Sequence, residues 1–207
     1  MAPSAVIDLL GAATRRSRNR YARDTLIRGR PRRRDRVLGS FYWSLSVSMW
    51  AEFGQDPGHL EAYGAGLERA GDPAALLDLG TGTGASAVIA ARRFPEARVV
   101  GVDKSRTMLA RARRANDLPN LEFRRASLWK LPFDDGAFEL VTMLNCFPEL
   151  GELARVTAPG ARVLMTTSYG SVEERTRIYR ERWPQGGFEL REEANVGRGT
   201  FELYARA

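Results

Sequence analysis

The 207-residue sequence contains only one cysteine and one histidine, and only two of its 32 basic residues are lysines. The single Cys146 excludes an intrachain disulfide framework and leaves too few thiols for a zinc site. No apolar run approaches the roughly 18 residues that a membrane-spanning helix needs, and the start MAPSAVIDLLGAATRR lacks the pattern of a secretory signal. We therefore expect no metal ion, no membrane span and a reducing, cytoplasmic location.

Arginine is abundant, and its distribution is uneven. Residues 1–40 hold 11 Arg and 3 Asp, whereas the rest of the chain holds 21 Lys and Arg against 22 Asp and Glu. The formal net charge of +7 therefore arises in the first 40 residues, which we predict to be an arginine-rich arm or helices. Such a segment is typical of a phosphate-binding arm, but also of a solvated charged helix or linker.

Residues 41–70 are rich in aromatic side chains and begin with FYWSLSVSMWAEF. Leu60, Tyr63 and Leu67 follow at helical spacing, so we predict an aromatic-rich helical cap over this range. Its aromatic surface is expected to pack on the sheet or to line a substrate pocket. The candidates for such a pocket are Tyr42, Trp43, Trp50 and Tyr63.

From residue 71 onward, segments typical of buried strands alternate with segments typical of helices. Two further strand-like segments close the chain, separated only by Asn195 to Arg198, which is a hairpin spacing. The pattern predicts an α/β fold with a doubly wound, mostly parallel seven-stranded sheet, a C-terminal antiparallel hairpin strand and an N-terminal helical segment. The predicted strands are 74–79, 97–103, 121–125, 137–144, 161–168, 187–194 and 199–207, with a turn at 158–160 and a helix from Ser171 to about Trp183.

The sequence LLDLGTGTG stands where the first of these strands ends, and it supplies Asp78, Gly80, Gly82 and Gly84. Glycines let the backbone turn sharply and approach a ligand closely, and the following helix offers free amides. Asp103 ends the second strand, where a carboxylate can accept hydrogen bonds from both hydroxyls of a ribose. These features fit an adenosine-containing ligand, and the glycine spacing is also compatible with a dinucleotide.

Taken in order, these segments resemble the class I, Rossmann-like S-adenosylmethionine-dependent methyltransferases. LDLGTGTG is similar to the first motif of that family, and GVDKSRTMLARAR is similar to its second strand and helix. LPFDDGAFELV, LARVTAPGARVLM and the final hairpin follow in the order of the family. The resemblance runs from about Ala75 to Ala207. It implies that residues 71–207 form an S-adenosylmethionine-binding domain that releases S-adenosylhomocysteine.

The resemblance also implies roles for individual residues. The glycine-rich turn would pass the methionine and ribose parts of the cofactor, Asp78 would face its amino group, and Asp103 would hold the ribose diol. Lys104 and Ser127 depart from the family, which usually has an aliphatic residue and an Asp at these two positions beside adenine. The complete predicted cofactor-binding set is Asp78, Gly80, Thr81, Gly82, Gly84, Asp103, Lys104, Met108, Ser127, Leu128 and Asn145.

The catalytic residue is left open by the sequence. His59, expected in the turn before the Leu60 helix, is a candidate base, and Cys146 is interpreted as a small buried hydrophobic side chain rather than a nucleophile. We expect in-line methyl transfer to an O, N or C nucleophile of a small organic acceptor. The alternatives are an RNA or tRNA methyltransferase that uses the basic arm, a nicotinamide oxidoreductase, and a non-catalytic module that binds S-adenosylmethionine. The oligomeric state is not predicted.

Overall fold

Seven strands form one sheet within residues 57–168 and 179–207, which are the residues that the computed structural model describes. Four helices and one short 3-10 helix accompany the strands in this part of the chain. In chain order the elements are α1 (Pro57–Leu67), β1 (Ala75–Leu79), α2 (Ala85–Arg93), β2 (Arg98–Asp103), α3 (Arg106–Ala115), β3 (Leu121–Arg125), β4 (Phe138–Leu144), α4 (Leu150–Val156), β5 (Thr157–Ser168), the 3-10 helix (Trp183–Gly186), β6 (Phe188–Val196) and β7 (Gly199–Arg206).

The strand order across the sheet is β3-β2-β1-β4-β5-β7-β6. Strands β1 to β5 pair in parallel, whereas β7 pairs antiparallel with both β5 and β6. The predicted doubly wound sheet and its antiparallel end are therefore confirmed. Because β1 and β4 are neighbours although β2 and β3 lie between them in sequence, the strand order reverses between them. In open α/β sheets, ligands bind at the carboxyl ends of the strands beside such a reversal.

Helices cover both faces of the sheet. One face buries side chains of α1, α2 and α3, including Tyr63, Leu67 and Leu109, against Leu76 and Leu140. The other face buries Leu153 and Val156 of α4 together with an aromatic group. That group consists of Phe138, Tyr179, Trp183, Phe188 and Tyr204. The apolar run of β1, which is buried from Leu76 to Leu79, follows from its position between two covered faces.

Three local predictions differ from the structure. The predicted turn at 158–160 lies inside β5, where the pairing passes from Phe138–Thr157 to Leu140–Arg162, so the extra residues form a bulge. The final hairpin is tighter than predicted, because Val196 pairs with Gly199. His59 lies within α1, which begins at Pro57, and not in a turn before the helix.

The predicted arm over residues 1–40, most of the predicted helical cap and nearly all of the helix from Ser171 lie outside the described residues. The same holds for Tyr42, Trp43 and Trp50. Helix α1 is the described part of the cap. Among the described residues, no helix has the length and apolar character needed to cross a membrane.

Candidate cofactor-binding site

The predicted motifs meet at one edge of the sheet. Strands β1, β2, β4 and β5 are parallel, so their carboxyl ends lie side by side and bring together Gly80, Asp103, Asn145 and Ser168. These positions are widely spaced in sequence. The topology therefore builds the site from four separate segments.

The three glycines of the turn after β1 have backbone angles that favour glycine, with φ of 71° at Gly80, 56° at Gly82 and 91° at Gly84. A Cβ atom at Gly80 would stand 2.6 Å from Cys146 Sγ, and one at Gly84 would stand 2.7 Å from Phe123 Cζ. Gly80 therefore allows close contact with the segment after β4, and Gly84 allows α2 to pack closely on the sheet.

Gly82 differs from its neighbours because the space beside it is open. The nearest atom to a Cβ placed there is the Gly80 carbonyl oxygen, at 3.9 Å. The Gly82 amide donates a hydrogen bond to Asp103 Oδ2 at 3.1 Å, and the Ser105 amide donates to Asp103 Oδ1 at 2.8 Å. Burial raises the pKa of Asp103, and these two amides act in the opposite direction. A half-buried carboxylate thus stands beside an open glycine.

Asp78 lies deeper and has no exposed surface. Ser86 Oγ donates to its Oδ2 at 2.7 Å, and Thr142 Oγ1 donates to its Oδ1 at 2.9 Å. Thr142 in turn accepts a hydrogen bond of 3.0 Å from the hydroxyl of Tyr63. Burial raises the pKa of Asp78 to about 6, and the hydrogen bonds partly oppose that change. This carboxylate therefore links α2 to β4.

Tyr63 was predicted to line a substrate pocket, but its side chain has no exposed surface. It packs in the core between α1 and the sheet, and its hydroxyl is used by Thr142. Tyr63 therefore connects α1 to Asp78 and does not face solvent.

The other predicted cofactor residues lie around the same edge. Thr81 is buried and its amide donates to the Val102 carbonyl, whereas Met108 is buried in α3 and its amide is capped by Ser105 Oγ at 3.3 Å. Lys104 and Ser127 are exposed. Leu128 is half-buried, and its carbonyl oxygen accepts from the Glu149 amide.

His59 and Asn145 are brought together by Ser168, which is not among the predicted site residues. Ser168 Oγ lies 2.7 Å from His59 Nδ1, and it accepts a 2.7 Å hydrogen bond from Asn145 Nδ2. The Ser168 amide donates to Asn145 Oδ1 at 3.0 Å. The rule that polar residues ending parallel strands share one edge could have identified Ser168 from the sequence.

Cys146 packs against the core beside Gly80. Burial raises the pKa of its thiol well above the usual range, and the charges of Asp103 and Asp78 act in the same direction. The thiol therefore stays protonated near neutral pH, which agrees with its interpretation as a small apolar side chain.

These features are the ones expected of a Rossmann-like site for an adenosine-containing cofactor. The open space at Gly82, next to the Asp103 carboxylate at the reversal of strand order, fits a ribose with two hydroxyl donors. Asp78, which was expected to face the amino group of the cofactor, has no exposed surface, and both of its oxygens already accept hydrogen bonds.

Comparisons with known proteins agree with this class. Residues 76–166 match the family model described as "Methyltransferase domain". The chain is 45% identical over 108 residues to a demethylmenaquinone methyltransferase of Thermus thermophilus, an alignment that covers 48% of each protein. The chain thus spans about half the length of this curated relative.

Two solved structures share the fold. A Haloferax volcanii methyltransferase, solved in complex with the Trm112 activator, gives a TM-score of 0.66 at 19% identity over 79% of this chain and 96% of its own. A SAM-dependent methyltransferase of Aquifex aeolicus gives a TM-score of 0.60 at 22% identity over 72% and 93%. These two likenesses show that the chain shares the fold of S-adenosylmethionine-dependent methyltransferases, and the sequence match to a methyltransferase domain lies within that fold.

Proposed function

We propose that this protein transfers a methyl group from S-adenosylmethionine to a small organic acceptor. The observation that carries the proposal is the pairing of Gly82 with Asp103. An open, positive-φ glycine donates its amide to a carboxylate at the end of the neighbouring strand. In this arrangement Asp103 is the residue that would bind the ribose diol.

Methyl transfer makes modest demands on the side chains of the protein. S-adenosylmethionine supplies an activated methyl group, which an incoming nucleophile displaces in line. The chain must hold the cofactor, admit the nucleophile at the right angle and exclude water. Orientation of this kind is worth about 7–11 kcal/mol of the reaction barrier. The absence of an assigned base is therefore compatible with activity toward an acceptor that reaches the site already neutral.

The nature of the acceptor is supported by two features. The sequence before α1 is the richest source of aromatic side chains outside the sheet, which suits a compact organic molecule. The Thermus thermophilus relative is named for a quinone substrate, so a quinone-like ring carbon is one acceptor class to test. We also propose that the protein works in the cytoplasm.

Calorimetric titration with S-adenosylhomocysteine tests the cofactor site. Gly82→Val should abolish measurable binding, because the new side chain would fill the open space beside Asp103. Gly160→Val is the matched control, since Gly160 also has positive φ, 75°, and nothing within 4 Å of its Cβ position, but it lies in the bulge of β5. Affinity that is unchanged in Gly82→Val would remove Gly82 from the site.

Turnover is tested with S-adenosylmethionine carrying a labelled methyl group. The panel of acceptors should include demethylated quinones, small carboxylic acids, phenols, amines and tRNA. Label that enters an organic-extractable product supports the proposal. Cofactor binding with no transfer to any member would favour a non-catalytic module.

A further inference from the structure

Strand β4 leaves the sheet at Asn145, in an unusual conformation. Its φ of 53° is the only positive value at a non-glycine residue in the described part of the chain. Asparagine tolerates this region better than most residues, but the conformation is held only where surrounding contacts impose it. The contacts that hold Asn145 are therefore informative.

The side chain of Asn145 makes hydrogen bonds to β5 where the backbone of β4 no longer pairs with that strand. The backbone amide of Asn145 still donates to the Thr166 carbonyl of β5 at 2.9 Å. Beyond that point Oδ1 accepts from the Ser168 amide and Nδ2 donates to Ser168 Oγ, at 3.0 and 2.7 Å. The carboxamide thus replaces the next step of the β4–β5 ladder and fixes the direction in which the chain departs.

Helix α1 joins this arrangement through His59. The imidazole is 6% exposed, and its Nδ1 lies 2.7 Å from Ser168 Oγ. Ser168 therefore contacts one side chain from the helix layer and one from the end of β4. One turn further along α1, Tyr63 contacts Thr142 of the same strand.

Cys146, the residue after Asn145, connects these contacts to the glycine-rich turn. Cys146 Sγ would stand 2.6 Å from a Cβ atom at Gly80, so the two residues are in close contact. Gly80 precedes Gly82 by two residues, and Gly82 donates to Asp103. A shift at the end of β4 would move Cys146 and would thereby disturb the glycine-rich turn.

We propose that His59, Ser168 and Asn145 act as a positioning group for the cofactor site. They fix the end of β4, and through Cys146 they fix the turn that carries Gly82. The affinity for the cofactor thus depends on a helix that lies outside the glycine-rich motif. This inference rests on the proposed function, because it takes the Gly82–Asp103 region as the cofactor site.

The first test compares Ser168→Ala, Ser168→Thr and Thr157→Val by calorimetric titration with S-adenosylhomocysteine and by thermal unfolding. Ser168→Ala removes the hydroxyl that joins His59 to Asn145, and it should weaken affinity by about three- to tenfold. Ser168→Thr keeps a hydroxyl and should restore most of that affinity. Thr157 lies at the opposite end of β5 from Ser168, and its buried hydroxyl donates to the Leu153 carbonyl of α4. Thr157→Val removes this hydroxyl, so it should lower stability and leave the affinity for S-adenosylhomocysteine unchanged.

The second test is a double-mutant cycle between His59→Phe and Ser168→Ala. If both residues act through Asn145, the double variant should lose little more affinity than the weaker-binding single variant. Because His59 is the only histidine, its imidazole signals in NMR spectra are assigned without ambiguity. Addition of S-adenosylhomocysteine should shift these signals in the wild type and shift them less in Ser168→Ala.

Three results would count against the proposals, and they are distinguishable. Wild-type protein that does not bind S-adenosylhomocysteine would overturn the proposed function itself. Wild-type binding that Ser168→Ala and His59→Phe leave unchanged would overturn the positioning role alone. A loss of affinity in Thr157→Val equal to that in Ser168→Ala would also overturn it, because general destabilisation would then explain both.

Discussion

The Asp78 carboxylate shows how one residue can link the stability of the fold to pH. Its side chain is fully buried, and two hydroxyls, from Ser86 and Thr142, donate to its two oxygens. Burial nevertheless dominates, and it raises the pKa of the carboxyl from 3.8 to about 6. The ionised form is therefore less favourable in the folded chain than in the unfolded chain.

The sign of the pH dependence follows from this shift. A carboxyl whose pKa is higher in the folded state binds its proton more tightly there, so its contribution to stability is largest below the unfolded pKa. That contribution should fall by about 3 kcal/mol as the pH rises from about 4 to about 6, and then level off. Asp78→Asn keeps an uncharged partner for Ser86 and Thr142. This variant should reduce the dependence of the free energy of unfolding on pH over this interval.

Urea unfolding at a series of pH values between about 4 and about 8 measures the effect. The control is Asp134→Asn, which removes an exposed carboxylate and leaves Asp78 in place. An unfolding free energy that depends on pH equally in Asp78→Asn and the wild type would contradict the assignment of this titration to Asp78.

At the scale of elements, helix α4 holds the connection between β3 and β4 through Arg155. The guanidinium donates to the Leu131 and Phe133 carbonyls at 2.9 and 2.6 Å and forms two bonds to Glu152. It also contacts Asp135 at 2.9 Å. This connection also carries Ser127 and Leu128, the predicted adenine-side residues.

Arg155→Lys should therefore destabilise the fold although it conserves the charge. Lysine carries its three N–H donors on one nitrogen, so it cannot span two carbonyls and two carboxylates as the planar guanidinium does. We expect a loss of about 1–2 kcal/mol in the free energy of unfolding, reduced by the partial exposure of the group. The control is Arg191→Lys, whose arginine makes an exposed ion pair with Glu189. Equal stability of the two variants in urea titrations would contradict the role of Arg155.

The elements were largely predictable because their signals are local. The buried runs of β1 and β4 and the Ser105 cap of α3 are all encoded within a few residues, and the structure confirms them. The turn predicted at 158–160 was wrong. Pro159 and Gly160 mark an interruption of regular structure, but whether it becomes a turn or a bulge depends on pairing with β4, which local sequence does not contain.

The site was predictable where it follows a motif and obscure where it depends on long-range contacts. Gly82 and Asp103 come from recognisable positions at strand ends. Ser168 belongs to no motif. Its position at the end of a strand could have marked it, but its contact with His59, 109 residues away in sequence, could not be predicted. Tyr63 was assigned to a pocket because aromatic residues surround it in sequence, but its partner Thr142 is 79 residues away.

At the scale of the whole molecule, basic residues of the described part of the chain are concentrated near one end of the sheet. Residues 92–130, which include β2, α3 and β3, hold 11 Lys and Arg against 4 Asp and Glu. The exposed side of α3 carries Arg106, Arg111, Arg113 and Arg114, and the helix has no acidic residue. The near-neutral total for residues after position 40 therefore conceals a basic edge beside the candidate cofactor site.

This basic edge and the arginine-rich first 40 residues predict electrostatic binding of nucleic acid. If the acceptor is a small molecule, tRNA should bind only through charge, so its affinity should fall at least tenfold between about 50 mM and about 200 mM salt. The double variant Arg111→Glu, Arg114→Glu should weaken this binding further and leave the affinity for S-adenosylhomocysteine unchanged. Arg191→Glu, at the opposite end of the sheet, is the control. Fluorescence anisotropy with labelled tRNA measures the binding. Salt-resistant binding accompanied by methyl transfer to the tRNA would instead establish an RNA methyltransferase.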